Sequence, residues 1–252
     1  MTSHDTVITY LDAELDVEHY NDAGDKFNGA LVVGEGTVTR IGACTNCTFE
    51  TIAAAADEGC DLVVSHHGGW EEFDGGLLAE KTDRIRDAGM TWYIAHHALD
   101  CADEDYGVAV ALAEELGIDI DAAYGEIEGG RGGRYGTLAV SPGAFRDRLE
   151  RIEEDYETVG DLDGLEDARI GVIGGSGGVF RSLIDETVAA GCDVLVTGNA
   201  SFFGKIHAYE HGLSLVLLEE TSSEKWGVHR LGEHLKERFE DVELVRLEET
   251  NW

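Results

Sequence analysis

Three short stretches of the sequence carry side chains of the types that commonly bind metal ions in proteins, and each stretch follows a predicted β-strand. They are His66-His67 after residues 61–65, His96-His97 with Asp100 after residues 91–95, and Glu220 with Glu224 after residues 213–218. Imidazole nitrogens and carboxylate oxygens together suit Zn, Fe, Mn or Ni rather than Ca or Mg. Six such side chains supply about three ligands for each of two ions, with room for bridging water. The pattern predicts a dinuclear metal centre.

The alternative is that these residues are ordinary surface groups. An adjacent histidine pair arises by chance, and most carboxylates in so acidic a chain are surface charge. Against this, four of the ten histidines stand at the predicted carboxyl ends of two strands in the same half of the chain. Loops at that end of a parallel sheet are where α/β proteins bind ligands. For His207, His211, His229 and His234, on or beside predicted helices, a surface role is favoured.

The elements that must position these residues form an α/β pattern, in which short β-branched runs alternate with longer helical patterns. The first half predicts strands at 38–43, 61–65 and 91–95 with helices at 49–58 and 77–87. The second half predicts strands at 168–173, 193–197 and 213–218 with helices at 180–190 and 202–210. Because the letters around Arg40 and Gly59 recur around Arg169 and Gly191, we infer a duplicated βαβαβ unit. The expected architecture is two similar lobes, 1–128 and 129–252, with a metal cleft between them.

The other segments complete this scheme. We expect an amphipathic helix at 103–116, a glycine-rich turn at 129–136, a strand at 135–140 and a charged helix at 142–156. A last helix at 226–238 and a strand at 242–247 precede an exposed tail at 248–252.

The glycine-rich stretch at 174–178 follows a predicted strand and precedes a predicted helix. Since GxGxxG spacing and a Walker lysine are missing, a tight turn is favoured there over a phosphate-binding loop. The same holds for 132–136, with Arg134 as the alternative anion contact.

Composition excludes several partners. Eighteen basic against 52 acidic residues give the 252-residue chain a formal charge of −34, which disfavours nucleic-acid polymers and anionic membranes. No apolar stretch is long enough to span a bilayer.

We interpret the spread of acidic residues along the chain as adaptation to high salt, with an acidic functional surface as the alternative. Five cysteines without an export signal predict reduced thiols and a cytoplasmic protein, and packing is favoured over zinc binding for Cys44 and Cys47.

Four motifs resemble those of the NIF-three-like dinuclear metal-centre family, whose members are often named GTP cyclohydrolase I type 2 homologues. They are Asp61-Leu-Val-Val-Ser-His-His67, Tyr93-Ile-Ala-His-His-Ala-Leu-Asp100, Gly133-Arg-Tyr-Gly136 and Asp193-Val-Leu-Val-Thr-Gly198, in an order that covers essentially the whole chain. The resemblance implies that His66, His67, His96 and Asp100 lie at the metal site. It also selects Glu220 and Glu224, which align with the family's final His and Glu ligands.

The sequence departs from the family at three places. Glu220 stands in the position of a histidine, which implies a harder ligand set and a drift toward Mn or Fe and away from Zn. His97 stands where the family usually has threonine. The stretch from Asn199 to Phe203 replaces residues that in the family tend to be Glu and His near the metal pocket.

The resemblance implies two divalent transition-metal ions per subunit, Fe, Mn or Zn, and a toroidal homo-hexamer. The expected activity is metal-dependent hydrolysis of a small polar or nucleotide-like substrate, with GTP ring opening as one candidate reaction. His97 is the candidate catalytic residue, as an orienting group or proton carrier, with a structural role as the alternative. A non-catalytic metal-binding scaffold or regulatory hexamer is the alternative function.

Overall fold

The computed structural model describes residues 1–25 and 27–250, which form two compact units. Unit 1 comprises Met1–Leu99 and Val228–Thr250, and unit 2 comprises Asp100–Gly227. Within the described residues, no helix is both long enough and apolar enough to cross a membrane. The α/β class predicted from the sequence is confirmed.

The elements are numbered in chain order. The strands are β1 (Thr2–Ser3), β2 (Gly29–Val32), β3 (Thr37–Val38), β4 (Arg40–Asn46), β5 (Leu62–His67), β6 (Thr91–Ile94), β7 (Ile118–Ile127), β8 (Gly130–Leu138), β9 (Glu157–Val159), β10 (Arg169–Ile173), β11 (Val194–Thr197), β12 (Ser214–Leu217) and β13 (Glu243–Arg246). The α-helices are α1 (His4–Glu14), α2 (Val17–Ala23), α3 (Phe49–Asp57), α4 (Glu71–Asp74), α5 (Leu78–Asp87), α6 (His97–Asp100), α7 (Val108–Leu116), α8 (Pro142–Ile152), α9 (Arg181–Ala189), α10 (Phe202–Glu210) and α11 (Glu220–Arg238). Single 3-10 turns lie at Gly75–Leu77 and Leu165–Asp167.

Unit 1 contains a five-stranded sheet in the order β13-β4-β5-β6-β2. The first four strands are parallel and β2 is antiparallel to β6. Parallel strands are normally covered on both faces, and β5 and β6 are accordingly buried along nearly all of their length. α3 starts at a capping box in which Thr48 and Thr51 exchange side-chain and backbone hydrogen bonds. The start of the helix that leads from β4 to β5 is therefore fixed locally.

Unit 2 contains a six-stranded sheet in the order β7-β8-β10-β11-β12-β9. β10, β11 and β12 are parallel, while β7, β8 and β9 pair antiparallel with their neighbours. One hydrophobic cluster packs α7 and α8 against the sheet, and a second packs α9 and α10. Ser141 caps α8, and Pro142 occupies its first turn as the sequence predicts.

Each unit contains a βαβαβ segment: β4-α3-β5-α5-β6 in unit 1 and β10-α9-β11-α10-β12 in unit 2. That the two segments descend from one duplicated unit stays a prediction. The units are divided differently from the lobes predicted at 1–128 and 129–252. Strand pairing gives the reason, because β7 pairs with β8 and β13 pairs with β4.

Other local predictions differ from the structure. The predicted glycine-rich turn at 129–136 is mostly β8, because residues 130–138 pair with β7 on one side and β10 on the other. The predicted amphipathic helix at 103–116 starts at Val108, and residues 108–113 are all buried. α11 starts at Glu220 rather than at residue 226. The N-terminal helices α1 and α2 were not predicted, although Ser3 caps α1 and its buried residues His4, Val7 and Leu11 recur at helical spacing.

The five cysteines are buried free thiols. Cys44 and Cys47 pack in the hydrophobic core of unit 1, as the sequence analysis favoured over zinc binding. Burial raises the pKa of both thiols well above the ordinary value, and it raises the pKa of Cys60 to about 11. These groups therefore behave as small apolar side chains.

Candidate metal centre

The carboxyl edge of the unit 1 sheet, where its parallel strands end, gathers polar residues from every strand. β4 ends at Asn46, β5 ends at His67, and β6 is followed by His96. β13 is followed by Glu249. Because β2 runs antiparallel to β6, the residue that reaches this edge from β2 precedes the strand, and it is Asp25. The sheet therefore places five chemically active side chains at the ligand-binding edge of an α/β fold.

His66, His67 and His96 form the histidine cluster. Each offers a ring nitrogen, and these three nitrogens lie within 4.8 Å of one another. The ring centroids are 4.4 Å apart for His66 and His67, and 5.3 and 5.7 Å from His96 to each of them. His66 is buried, and the other two are half-buried. The strand ends thus bring together the three imidazoles that the sequence analysis singled out.

Oxygen acceptors fix the ring orientation of the first two histidines. Nδ1 of His66 lies 2.7 Å from the carbonyl oxygen of Ala95, and Nδ1 of His67 lies 3.1 Å from Oδ1 of Asn46. Since a carbonyl oxygen only accepts, each Nδ1 donates, and Nε2 of the neutral ring carries the lone pair. This is the arrangement typical of metal-binding histidines.

Asp25 fixes the orientation of the His96 ring in the same way, and this residue was not predicted from the sequence. Nδ1 of His96 lies 3.1 Å from both carboxylate oxygens of Asp25, whose side chain is 1% exposed. Oδ2 also accepts the backbone N–H of His97 at 2.9 Å. Burial raises the pKa of Asp25, but the hydrogen bond and charge of His96, together with His97, bring the pKa down to about 2. A carboxylate–histidine pair of this kind orients a ligand and increases its basicity.

His97 also contacts Asp25. Its ring stacks on His96 with centroids 4.2 Å apart, and its Nδ1 lies 3.6 Å from Oδ2 of Asp25. The ring nitrogens of His96 and His97 lie with a carboxylate oxygen of Asp25 in one group within 4.8 Å. His97 thus lies beside the histidine cluster, in contact with the carboxylate that orients His96.

The histidine cluster favours neutral imidazoles. Burial lowers the pKa of His67 well below its ordinary value of 6.5, and the neighbouring rings of His66, His96 and His97 lower it further. A neutral ring is the form that binds a metal ion.

A hydrogen-bond chain from the C-terminal segment supports His67. Glu249 accepts the backbone N–H groups of Thr45 and Asn46, both at 2.6 Å, and Asn46 holds His67. The predicted exposed tail at 248–252 is wrong at Glu249, because its carboxylate accepts hydrogen bonds from two backbone amides at the end of β4, and residues 251 and 252 lie outside the described residues. Burial raises the pKa of Glu249, while these amide hydrogen bonds oppose the increase.

An aromatic side chain covers the cluster from the loop after β5. The ring of Trp70 lies 4.5 Å from that of His96 and 5.6 Å from that of His67, edge to face in both cases. Asp74 holds this loop by accepting the backbone N–H of Gly69 at 2.6 Å, and it forms a buried ion pair with Lys81.

Unit 2 presents carboxylates at the corresponding edge of its own sheet. Glu220 follows β12 and Glu224 lies one helical turn later on α11. A carboxylate oxygen of Glu224 lies within 4.8 Å of one from Glu220 and of one from Asp100. We call Asp100, Glu220 and Glu224 the carboxylate cluster. Ionised carboxylates this close repel one another, and a divalent cation between them removes the repulsion.

The glycine loop between β10 and α9 packs around these carboxylates. A Cβ atom on Gly175, whose φ is +57°, would lie 2.2 Å from Oε1 of Glu224. The Gly175 N–H donates to Oγ of Ser223 at 2.9 Å, and the Gly178 N–H donates to the carbonyl oxygen of Asn199 at 3.1 Å. These two amides bond within the protein, which agrees with the tight turn favoured from the sequence.

Two further side chains fix Glu220, and the sequence analysis missed both interactions. Asn199 donates from Nδ2 to Oε2 of Glu220 at 2.7 Å, and Ser176 donates to Oε1 at 3.1 Å. Arg134, the alternative anion contact, is buried and donates to Asp103 and to backbone carbonyl oxygens. It therefore has a structural role.

The two clusters fit divalent transition metals. The histidine cluster supplies neutral nitrogen donors in fixed orientation, and the carboxylate cluster supplies anionic oxygen donors. The strand-end rule draws attention to all three stretches, but Glu220 and Glu224 were selected as ligands by the family resemblance. The strand-end rule also applies to Asn46 and Asp25. The predicted strand at 38–43 ended before Asn46, however, and the weak sequence pattern before β2 gave no indication of Asp25.

Comparison with protein families matches residues 2–251 to the Duf34/NIF3 (NGG1p interacting factor 3) family. A protein from Deinococcus radiodurans named GTP cyclohydrolase 1 type 2 homolog is 27% identical over 240 residues, covering 93% of this chain and 89% of the relative. A protein of the same name from Halobacterium salinarum is 31% identical, covering 83% of this chain and 85% of the relative.

Solved structures share the fold. A protein described as ybgI, of unknown function, matches with a TM-score of 0.84 and 24% identity, over 99% of both chains. Reduced HcgD from Methanocaldococcus jannaschii matches with a TM-score of 0.80 and 22% identity, over 98% of both chains.

Proposed function

The chain belongs to the Duf34/NIF3 family, and we propose that it is a dinuclear metal-binding protein that acts as a metal-dependent hydrolase on a small polar or nucleotide-like substrate. The proposed ligands are His66, His67, His96, Asp100, Glu220 and Glu224. The names of the curated relatives support GTP as the first substrate to test.

One observation carries the proposal. The three imidazoles of the histidine cluster lie within 4.8 Å of one another, and each has its Nδ1 held by an oxygen acceptor. A cluster of surface histidines would not need three separate acceptors, one of them a buried carboxylate. This arrangement is expected where all three Nε2 atoms bind metal.

Divalent ions held there would acidify a water molecule and neutralise an anionic substrate that the acidic chain otherwise repels. The protein's own residues would orient these groups. Asp25 keeps the His96 ring in position, and Asn46 does so for His67. His97, 23% exposed and bound to Asp25, is the proposed proton carrier.

The test starts from chain that is stripped of metal and reconstituted with Mn, Fe or Zn in molar KCl. We expect about two ions per chain at the dinuclear centre, and turnover of GTP or a phosphoester that a chelator abolishes. His67→Ala should lose metal and turnover while keeping the circular dichroism of the folded chain. His19→Ala, at an exposed histidine outside the cluster, is the matched control and should behave as wild type.

Retention of fewer than about one ion per chain would refute the dinuclear centre. Full loading without turnover on a nucleotide panel would instead favour the non-catalytic scaffold.

The ligand at position 220 bears on the identity of the metal. Glu220 supplies an oxygen where the family resemblance predicts a nitrogen, so we propose that this chain prefers Mn or Fe to Zn. Glu220→His should shift the preference toward Zn in competition dialysis, and an unchanged preference would contradict the proposal.

We also propose a toroidal homo-hexamer in the cytoplasm, on the support of the family resemblance alone. Sedimentation velocity at micromolar concentration tests the assembly, and a monomer across the salt range would refute it.

The charge of −34 supports a proposal of salt adaptation. The melting temperature should rise from low salt to molar KCl, and a flat or falling series would contradict it.

A further inference from the structure

A second group of metal-binding side chains lies on the surface of unit 2. It consists of Asp185 on α9, His207 on α10 and His211 at the end of α10, which we call the peripheral cluster. Each offers one ligand atom, and these atoms lie within 4.8 Å of one another. The sequence favours an ordinary surface role for both histidines, because the contact with Asp185 on the neighbouring helix has no signal in the sequence.

The helix geometry explains the cluster. His207 and His211 are four residues apart, so their side chains lie on one face one turn apart, with ring centroids 4.4 Å apart. α9 packs against α10, and Nε2 of His207 lies 2.6 Å from Oδ1 of Asp185. Two imidazoles and a carboxylate are the ligands of many zinc sites.

The hydrogen bonds also set the state of the rings. Nδ1 of His211 donates to the carbonyl oxygen of His207 at 2.9 Å, so Nε2 of the neutral His211 ring carries the lone pair. Oδ2 of Asp185 lies 3.6 Å from Nε of Arg181, which favours the ionised carboxylate. A metal ion would replace the proton that His207 and Asp185 share, and both would then be ligands.

The peripheral cluster is distinct from the carboxylate cluster. α10 leads from β11 to β12, so its end and His211 lie near the start of β12, whereas Glu220 follows the end of the same strand. The two groups therefore belong to opposite edges of the unit 2 sheet.

We propose that Asp185, His207 and His211 bind a third divalent transition-metal ion, of the Zn, Ni or Co class, on the surface of unit 2. His207 is 16% exposed and Asp185 48% exposed in their side chains, so water or an external donor has access to the remaining coordination position. The proposal is independent of the dinuclear centre.

The experiment measures zinc bound per chain by equilibrium dialysis and elemental analysis, in molar KCl with excess magnesium to suppress binding to surface carboxylates. His211→Ala should bind about one zinc ion fewer than wild type, and Asp185→Asn should weaken the same ion at least about tenfold. His19→Ala is the matched exposed histidine control and should lose none. Cobalt provides a second readout, because its visible spectrum should lose the component of this site in His211→Ala.

Equal stoichiometry and equal cobalt spectra in wild type, His211→Ala and Asp185→Asn would overturn the proposal. Loss of the ion in His19→Ala as well would also overturn it, because the binding would then be a general property of surface histidines. Failure of the dinuclear centre would give a different result. In that case His67→Ala would bind as much zinc as wild type, whatever the result for His211→Ala.

Discussion

The carboxyl edges of the two sheets show how one topology supports two kinds of donor. In unit 1, β5 and β6 end in imidazoles, and the neighbouring β4 ends in Asn46, one of the separate acceptors that orient these rings. In unit 2, three strands in the same order end in a glycine loop, Asn199 and Glu220. The fold fixes where the strands end, and the loops determine which chemistry is placed there.

The two edges also differ in how they tolerate change. The histidine cluster depends on hydrogen bonds from Asp25 and Asn46, which substitutions can weaken by degrees. The carboxylate cluster depends on space as well, because a Cβ on Gly175 would lie 2.2 Å from Oε1 at the end of the Glu224 side chain, and that buried carboxylate would have to move. Substitutions should therefore affect metal affinity first in unit 1 and folding first in unit 2.

The largest effect is expected for Gly175→Ala. The new Cβ would lie 2.2 Å from Glu224 at a φ of +57°, so the free energy of unfolding should fall by at least about 3 kcal/mol in urea denaturation. Gly212→Ala is the control, because φ is also positive there, at +72°, but nothing lies within 4 Å of the new atom. It should cost about 1–2 kcal/mol. Equal losses in the two variants would show that the contact with Glu224 is unimportant.

Asp25→Asn tests the hydrogen-bonded edge. The amide cannot accept at both oxygens, so His96 loses its orientation and apparent metal affinity should fall roughly 10- to 100-fold. Stability should fall by about 2 kcal/mol, because a buried charge-assisted network is lost. Asp22→Asn, at an exposed position on the preceding helix, should change neither quantity. Unchanged metal affinity in Asp25→Asn would show that Asp25 does not support metal binding.

The pH dependence of the metal-free chain tests the neutral state of His67. Its folded pKa lies well below 6.5, so its contribution to stability is complete above pH 6.5 and is lost as the pH falls below that value. The loss is about 1.4 kcal/mol per pH unit until the folded pKa is reached. Unfolding free energies at pH 7.5 and 5.5 in molar KCl should differ accordingly, and His67→Gln should reduce the difference. Identical slopes in both proteins would contradict this.

The smallest effect is expected for Glu249→Gln. One of the two backbone amides at Thr45 and Asn46 would lose its acceptor and the other would keep only a neutral one, so stability should fall by about 1 kcal/mol. Metal affinity should fall only a few-fold, because Asn46 still contacts His67. Glu248→Gln, at the exposed neighbour, should be neutral. A larger loss of metal affinity than in Asp25→Asn would show that Glu249 contributes more to the histidine cluster than Asp25 does.

Local patterns were enough to predict the parallel core and the strand ends. Apolar runs with glycine boundaries identify β5, β6, β11 and β12, and so they place His67, His96 and Glu220. The orienting residues could not be predicted, because Asp25 and Glu249 reach His96 and Asn46 across more than 70 positions of sequence. The strand predicted at 135–140 overlaps the end of β8, but β7 and the first part of β8 were not predicted, because glycines such as Gly136, beside the backbone of Asp119, serve close strand packing rather than a turn.

The buried pair of Asp74 and Lys81 has a consequence for the range of conditions in which the chain works. Both side chains are about nine-tenths covered, at 8% and 11% exposure, so dissolved ions screen their attraction far less than that of an exposed pair such as Arg84 and Glu80. Through the Gly69 amide, this pair holds the loop that carries Trp70. The Trp70 loop that covers the imidazoles should therefore keep its conformation from low salt to molar salt, even where the stability of the exposed acidic surface depends on the salt concentration.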